Sequence, residues 1–112
     1  MSEPVIDPVV FDEISELMDD AIGDFIETYL ENSPMLLNNI NQALATGDLE
    51  TVFSQAHQLR GGSGSIGAMQ VFQLSNEIEE RARAGESEGL GALVVKLQVA
   101  YEAAQQELRT FL

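Results

Sequence analysis

The residues best suited to chemistry lie in one short stretch, which begins with the only histidine of the chain, His57. Arg60 follows one helical turn later, and Gly61, Gly62 and Gly64 come directly after it. A neutral imidazole is an available nucleophile at pH 7, and a guanidinium is well shaped to hydrogen-bond an anion. The stretch therefore predicts an imidazole that takes up an anionic group, with Arg60 as the counter-charge.

The glycines beside His57 are hard to explain by stability. Each one costs about 0.5–1 kcal/mol relative to alanine in a helix interior. Gly61 and Gly64 lie at i+4 and i+7 from the histidine, so in a helix they are its neighbours along the surface. We expect them to leave room for a bulky adduct on the ring and for the backbone of a partner protein. The predicted docking contacts are Gly61, Gly64, Gln58 and Ser54.

The same stretch has plainer interpretations. A single histidine on a helix is usually polar surface, and Gly-Gly-Ser-Gly-Ser is usually a flexible loop. Propensity alone would end the helix at Gly61. However, Ser63 and Ile66 continue the helical phase of the preceding apolar residues, and the glycines stay in register with His57. This combination favours a helix that carries a functional histidine.

Apolar residues recur at spacings of three and four along most of the chain, which predicts five helices and no strand. The first helix begins at an Asp7-Pro8 cap and leads into apolar residues that include Val9 and Leu17. The second contains Ser33-Pro34, where the missing amide predicts a kink or a local offset. The predicted ranges are a short helix after Asp7, then about 20–46, 48–66, 68–84 and from beyond 87 to the end.

The third predicted helix turns His57 toward solvent. At about 100° per residue its apolar residues form one arc, and the histidine lies roughly 120° from the centre of that arc. Each long helix has one apolar face and the joins are short, so antiparallel neighbours are the natural packing. The predicted fold is all-α: an up-down antiparallel four-helix bundle with a short extra N-terminal helix, in a single domain over residues 1–112.

The composition restricts the possible partners. Nineteen acidic residues against five basic ones give a net charge of −14, which repels nucleic acid and anionic membrane surfaces. The sequence contains no apolar run long enough for a membrane span and no signal-peptide layout at its start. It has no cysteine, so disulfide and thiolate chemistry are excluded. These features predict a cytoplasmic protein.

The stretch from His57 to Ala68 resembles the signature of the histidine-containing phosphotransfer (HPt) domain family of phosphorelays. The family pattern is His-x-Leu-Lys-Gly-small-small-x-x-hydrophobic-Gly-Ala, and it is matched by His57, Leu59, Gly61, Gly62, Ser63, Ile66, Gly67 and Ala68. The resemblance extends into the preceding and following helices and covers nearly the whole chain. Arg60 stands where the family usually has lysine, which keeps the charge but changes the geometry of a phosphate contact.

The resemblance implies a phosphorelay intermediate of two-component signal transduction. His57 would accept a phosphoryl group from the aspartate of one receiver domain and pass it to the aspartate of another, with Arg60 stabilising the phosphate. These receivers would belong to a hybrid sensor kinase or a response regulator. The resemblance also implies a carrier without ATP-binding or kinase activity, without a metal site and without a cofactor, because the receiver supplies Mg²⁺. The sequence agrees, since it has no P-loop and no acidic cluster at EF-hand spacing.

Other functions fit the residues less well. A hydrolase would pair His57 with Ser54, Ser63 or Ser65, but a helix face does not readily offer an orienting group or an oxyanion hole. Zinc would have to bind one histidine and carboxylates alone. The main rival is a helical bundle that binds a partner without being phosphorylated. We expect a monomer, because the sequence shows no leftover apolar stripe, and the initiating Met1 favours a free-standing carrier over a domain of a larger kinase.

Overall fold

The computed structural model describes residues 4–112, and in that range the chain is helical and contains no strand. The helices are α1 (Pro8–Met18), α2 (Ile22–Thr46), α3 (Leu49–Ile66), α4 (Met69–Arg83) and α5 (Leu90–Arg109), with a short 3-10 turn, Asp19–Ala21, between α1 and α2. Helices α2 to α5 pack in a ring in chain order, and α5 closes it against α2, while α1 lies against α2 and α3. The predicted all-helical bundle with an extra N-terminal helix is confirmed.

Short capped joins turn each helix back along the previous one. Asp48 caps α3 by accepting a hydrogen bond from the amide of Thr51 at 3.1 Å. At the far end of α3, Gly67 is left-handed with a φ of 90°, and a Cβ there would lie 3.1 Å from the backbone carbonyl of Asp7. The amide of Asp7 donates to the carbonyl of Gly67 at 2.8 Å. The segment before α1 is thereby fastened to the end of the helix that carries the histidine.

The start of α1 is as predicted, since the Asp7 carboxylate accepts a hydrogen bond from the amide of Val9 at 2.9 Å. The buried residue of this helix is Phe11, however, whereas Val9 and Leu17 are 65% and 82% exposed. Helix α1 covers only one end of the bundle, so a narrow apolar stripe is enough to attach it. The ring of Phe11 also meets that of Phe111 beyond α5, with centroids 4.3 Å apart.

Helix α2 continues across Pro34, so the proline does not end the helix, and the kink or local offset at this position stays a prediction. Pro34 lies on the exposed side of the helix, where water reaches the backbone and the missing hydrogen bond costs least. The neighbouring Ser33 is buried and donates its hydroxyl to the carbonyl of Tyr29 at 2.6 Å. Ser33 therefore packs into the core while the proline beside it faces solvent.

Helix α3 continues through the whole glycine-rich run, which confirms the predicted helical phase and rules out a loop from Gly61. Ser63 points inward from this run, and its Oγ lies 2.7 Å from the hydroxyl of Tyr29 in α2. Burial raises the pKa of the Tyr29 phenol to about 12.

No helix within residues 4–112 is both long and apolar enough to cross a membrane.

Candidate functional site

His57 lies in the middle of α3 with 57% of its side chain exposed, as the sequence predicts. Phe53, one turn earlier, has its ring centroid 6.3 Å from that of the imidazole, with 22° between the ring planes. Helix α4 runs antiparallel beside α3, so that His57 faces Glu79 and Arg60 faces Asn76. The imidazole is thus supported by an aromatic ring and a carboxylate, while its remaining edge faces solvent.

Glu79 decides which nitrogen of the imidazole is nucleophilic. Its side chain is only 8% exposed, and its Oε2 lies 3.1 Å from Nδ1 of His57. An ionised carboxylate can only accept a hydrogen bond, so this contact favours the tautomer with the proton on Nδ1. The lone pair is then on Nε2, the nitrogen on the far side of the ring from Glu79. The site therefore presents Nε2 for covalent chemistry.

Arg60 lies close to the imidazole, but the same carboxylate also holds it. Its Nε is 2.9 Å from Oε1 of Glu79, and its Nη1 is 3.5 Å from Oδ1 of Asn76. Its Nη2 is 3.3 Å from Nδ1 of His57, a contact that is not a hydrogen bond when Nδ1 carries the proton. Glu79 therefore sets the positions of both the histidine and the guanidinium.

The two glycines predicted to clear the flank of His57 have different surroundings. A Cβ at Gly61 would meet nothing within 4 Å, so this position is open as predicted. A Cβ at Gly64 would lie 2.9 Å from the ring of Phe72 in α4. The prediction that Gly64 leaves open space is therefore wrong: the glycine makes room for close packing of α4 against α3.

The predicted docking contacts Ser54 and Gln58 also differ. Ser54 is half-buried and donates its hydroxyl to the carbonyl of Thr51 at 3.1 Å, so its hydroxyl is occupied within α3. Gln58 is exposed and borders a groove of about 420 Å³ between α2 and α3. Apolar side chains of α2 line this groove, and they include Phe25, Met35 and Leu36.

Comparisons with known proteins show the family of this chain. A model of the Hpt domain family matches residues 24–107. Histidine-containing phosphotransfer protein 4 of Arabidopsis thaliana is 36% identical over 107 residues, which are 90% of this chain and 84% of that protein. The chain belongs to the Hpt domain family. Histidine-containing phosphotransfer protein 2 of the same plant is 31% identical over 106 residues, covering 88% of this chain and 68% of that protein.

The fold of this Hpt domain is also found in a solved structure. The crystal structure of histidine-containing phosphotransfer protein B (HptB) from Pseudomonas aeruginosa PAO1 matches with a TM-score of 0.93 at 28% identity, and the match covers 97% of this chain and 95% of that one. Membership of the family makes the chain a phosphorelay intermediate of two-component signal transduction. It is a phosphotransfer protein and not a kinase.

The Hpt site contains one residue that sequence reasoning missed, Glu79. It lies 22 residues after His57 on a different helix, within an acidic run that a solvated helix face would also show. The signal available in the sequence was its phase, because Glu79 follows Ile78 and precedes Ala82 on the inward side of α4. Among residues 4–112, no three histidine, cysteine or acidic side chains are grouped closely enough to hold a metal ion.

Proposed function

We propose that Nε2 of His57 carries the phosphoryl group of the relay. The observation that supports this is the contact of 3.1 Å between Nδ1 and the nearly buried carboxylate of Glu79, since it leaves Nε2 as the free nitrogen on an exposed edge of the ring. A nucleophile needs a lone pair and an open approach, and Nε2 has both. The phosphoryl group arrives from an aspartyl phosphate in a receiver domain.

The transfer forms one bond and breaks one. The Nε2 lone pair attacks phosphorus in line with the P–O bond to the receiver aspartate, that bond breaks, and the aspartate leaves as a carboxylate. The Nδ1 proton stays on the ring and remains hydrogen-bonded to Glu79. Passage to a second receiver is the reverse reaction, with the aspartate of that receiver as the nucleophile. Proton transfer to bulk water is therefore not needed in either direction.

Arg60 supplies positive charge for the phosphoryl oxygens in this proposal. Its Nη2 lies 3.3 Å from Nδ1, on the side of the ring next to Glu79, so the guanidinium has to turn toward the solvent-facing edge of the ring to reach a phosphoryl group on Nε2. A lysine in this place would act as a point charge, whereas arginine offers a planar pair of donors. The carrier itself holds no metal; the receiver brings Mg²⁺ and the acidic pocket.

The groove between α2 and α3 is the proposed docking surface for receiver domains. Its border includes the predicted contact Gln58, the residue after His57 in α3, and Met35 of α2, which is 57% exposed. The open surface at Gly61 allows the receiver backbone to come close to the phosphoryl group. We expect the receiver of a hybrid sensor kinase or of a response regulator to dock there, in the cytoplasm.

Transfer of radioactive phosphate tests the assignment. A receiver domain phosphorylated with ³²P is mixed with the wild-type chain or with His57→Gln. We expect acid-labile, base-stable label on the wild type only, and no label when the chain is incubated with ATP alone. Label on His57→Gln would show that another residue carries the phosphate. Binding of the receiver without any label would favour the rival, an interaction module that is not phosphorylated.

A further inference from the structure

The α2 side of the groove between α2 and α3 is charged at one end only. No lysine or arginine precedes Arg60 in the chain, and the acidic residues of α2 stop at Glu31. From residue 32 to the end of the helix at Thr46, no side chain is charged. None of the residues that line the groove is charged either. The groove is therefore an apolar channel with negative charge beside one of its ends.

Two of these acids lie in line with residues of the groove. Thr28 and Met35 line it, and Asp24 and Glu31 alternate with them at spacings of four, three and four residues. Side chains at such spacings form one stripe along a helix, and all four are exposed. A carboxylate in the first turn, such as Asp24, also favours the helix dipole, but Glu31 lies two turns beyond it. The stability of α2 therefore does not explain Glu31.

The register of α2 and α3 fixes the distance of these acids from the histidine. The side-chain amide of Asn39 in α2 donates to Oε1 of Gln55 in α3 at 3.0 Å. Because the two helices are antiparallel, His57 is level with the position two residues before Asn39. At 1.5 Å per residue, Glu31 and Asp24 then lie about 9 Å and about 20 Å further along the groove. The histidine is at the uncharged end of the α2 side, and the acids are toward the other end.

We propose that the groove selects receiver domains whose docking surface is apolar with basic side chains at one end, which meet Glu31 and Asp24. This inference rests on the proposed function, because it assigns the partner of the same docking surface. Opposite charges at the rim of an interface steer the encounter and fix its orientation.

The orientation matters because the phosphorylation pocket of a receiver is itself acidic. A receiver docked the wrong way round would bring this pocket over Glu31 and Asp24 and be repelled. In the correct orientation its basic end covers the two carboxylates, and its acidic pocket faces Arg60 and His57. The two acids of α2 therefore set the register in which the aspartyl phosphate meets Nε2.

Rates of phosphate transfer at low and high salt test the proposal. The probe is a receiver domain that labels the wild type, phosphorylated with ³²P and used over a range of concentrations. Glu31→Lys is expected to raise the half-saturating receiver concentration about tenfold at low salt, and much less when added salt screens the charges. Glu86→Lys is the matched control, because it makes the same change of charge at an exposed position between α4 and α5. This turn is at the opposite end of the bundle from the start of α2, so the control should transfer like the wild type.

An exchange of charges tests the partner directly. The exposed lysines and arginines of the same receiver are replaced by glutamate one at a time, and at least one of these receivers should transfer faster to Glu31→Lys than to the wild type. If none does, the proposal is wrong. Equal losses in Glu31→Lys and Glu86→Lys also overturn it, since net charge alone would then explain them. Unchanged transfer to both variants overturns the basic partner but not the phosphotransfer, whereas a wild type that takes label from no receiver overturns both.

Discussion

At the scale of single residues, one carboxylate organises the chemistry. Glu79 contacts Nδ1 of His57 with one oxygen and Nε of Arg60 with the other, at 3.1 and 2.9 Å. It therefore holds the ring in one tautomer and keeps the guanidinium beside it. The spacing of His57 and Arg60 on one helix could be read from the sequence. The phase of Glu79 marked it as inward, but its pairing with these two residues could not be read from the sequence, because it depends on how α4 packs against α3.

Replacement of Glu79 by alanine should slow phosphate transfer to His57 by roughly 10- to 100-fold, because the ring loses both its orientation and its fixed tautomer. Glu79→Gln should recover part of the rate, since its amide oxygen can still accept a hydrogen bond from Nδ1–H. The measurement is the rate of label uptake from a phosphorylated receiver at saturating concentration, with circular dichroism to confirm the fold. A wild-type rate in a folded Glu79→Ala variant would contradict the role of this carboxylate.

Arg60→Ala should shorten the lifetime of the phosphohistidine, since the phosphoryl oxygens lose the nearest cation. Arg60→Lys should restore part of that lifetime by returning the charge without the planar pair of donors. Loss of label from the isolated phosphorylated protein at neutral pH measures the effect. Arg109→Ala, which removes an exposed arginine at the end of α5, is the control for net charge. If the phosphohistidine decays equally fast in Arg60→Ala and Arg109→Ala, Arg60 has no specific role in stabilising it.

At the scale of the helices, periodicity predicts each element but not what packs on it. The continuation of α3 through Gly61 and Gly62 could be predicted because Ser63 and Ile66 keep its phase. The surroundings of Gly64 could not be predicted, because a single helical wheel says nothing of the Phe72 ring that α4 lays across it. The groove beside Gln58 was missed for the same reason, since two helices form it.

The two glycines should therefore respond oppositely to added side chains. Gly61→Ala should raise the free energy of unfolding by about 0.5–1 kcal/mol, because the site is open and alanine is the better helix former. Gly64→Ala should lower it by about 1 kcal/mol or more, because its Cβ would press on Phe72. Urea unfolding of both variants measures the difference. If Gly64→Ala raises the free energy of unfolding as much as Gly61→Ala does, the Phe72 ring moves aside at no cost and the prediction is wrong.

The open flank at Gly61 also has a functional test. Gly61→Leu should fold as stably as the wild type and yet slow transfer roughly tenfold, because its side chain occupies the space through which the receiver approaches. Gly61→Ala serves as the smaller control, and the rate of label uptake is compared for both. If Gly61→Leu takes up phosphate at the wild-type rate, the space beside the histidine is not needed for docking.

At the scale of the whole molecule, the bundle is held around a small polar centre as well as an apolar core. Tyr29 and Ser63 join α2 to α3 through a buried contact of 2.7 Å. Burial raises the pKa of the Tyr29 phenol from 10.0 to about 12, so the folded state favours the protonated form. Burial also raises the pKa of Tyr101, whose ring centroid is 6.1 Å from that of Tyr29.

The bundle should consequently lose stability at alkaline pH. Below pH 10 the Tyr29 hydroxyl is protonated in both states, whereas between pH 10 and about 12 the unfolded chain gives up this proton first. The free energy of unfolding should fall by up to about 3 kcal/mol across that interval. Urea unfolding of the wild type and Tyr29→Phe at a series of pH values measures the effect. The same alkaline slope in both proteins would contradict this prediction.

The contact between the rings of Phe11 and Phe111 brings the beginning and the end of the described chain close together. The helices could therefore be connected in a different order along the chain and still pack in the same arrangement. Joining the two ends by a short linker and opening the exposed turn between Arg83 and Leu90 would give a circularly permuted chain in which α5 comes first. His57, Arg60 and Glu79 would keep their neighbours, and the permuted protein should still relay phosphate.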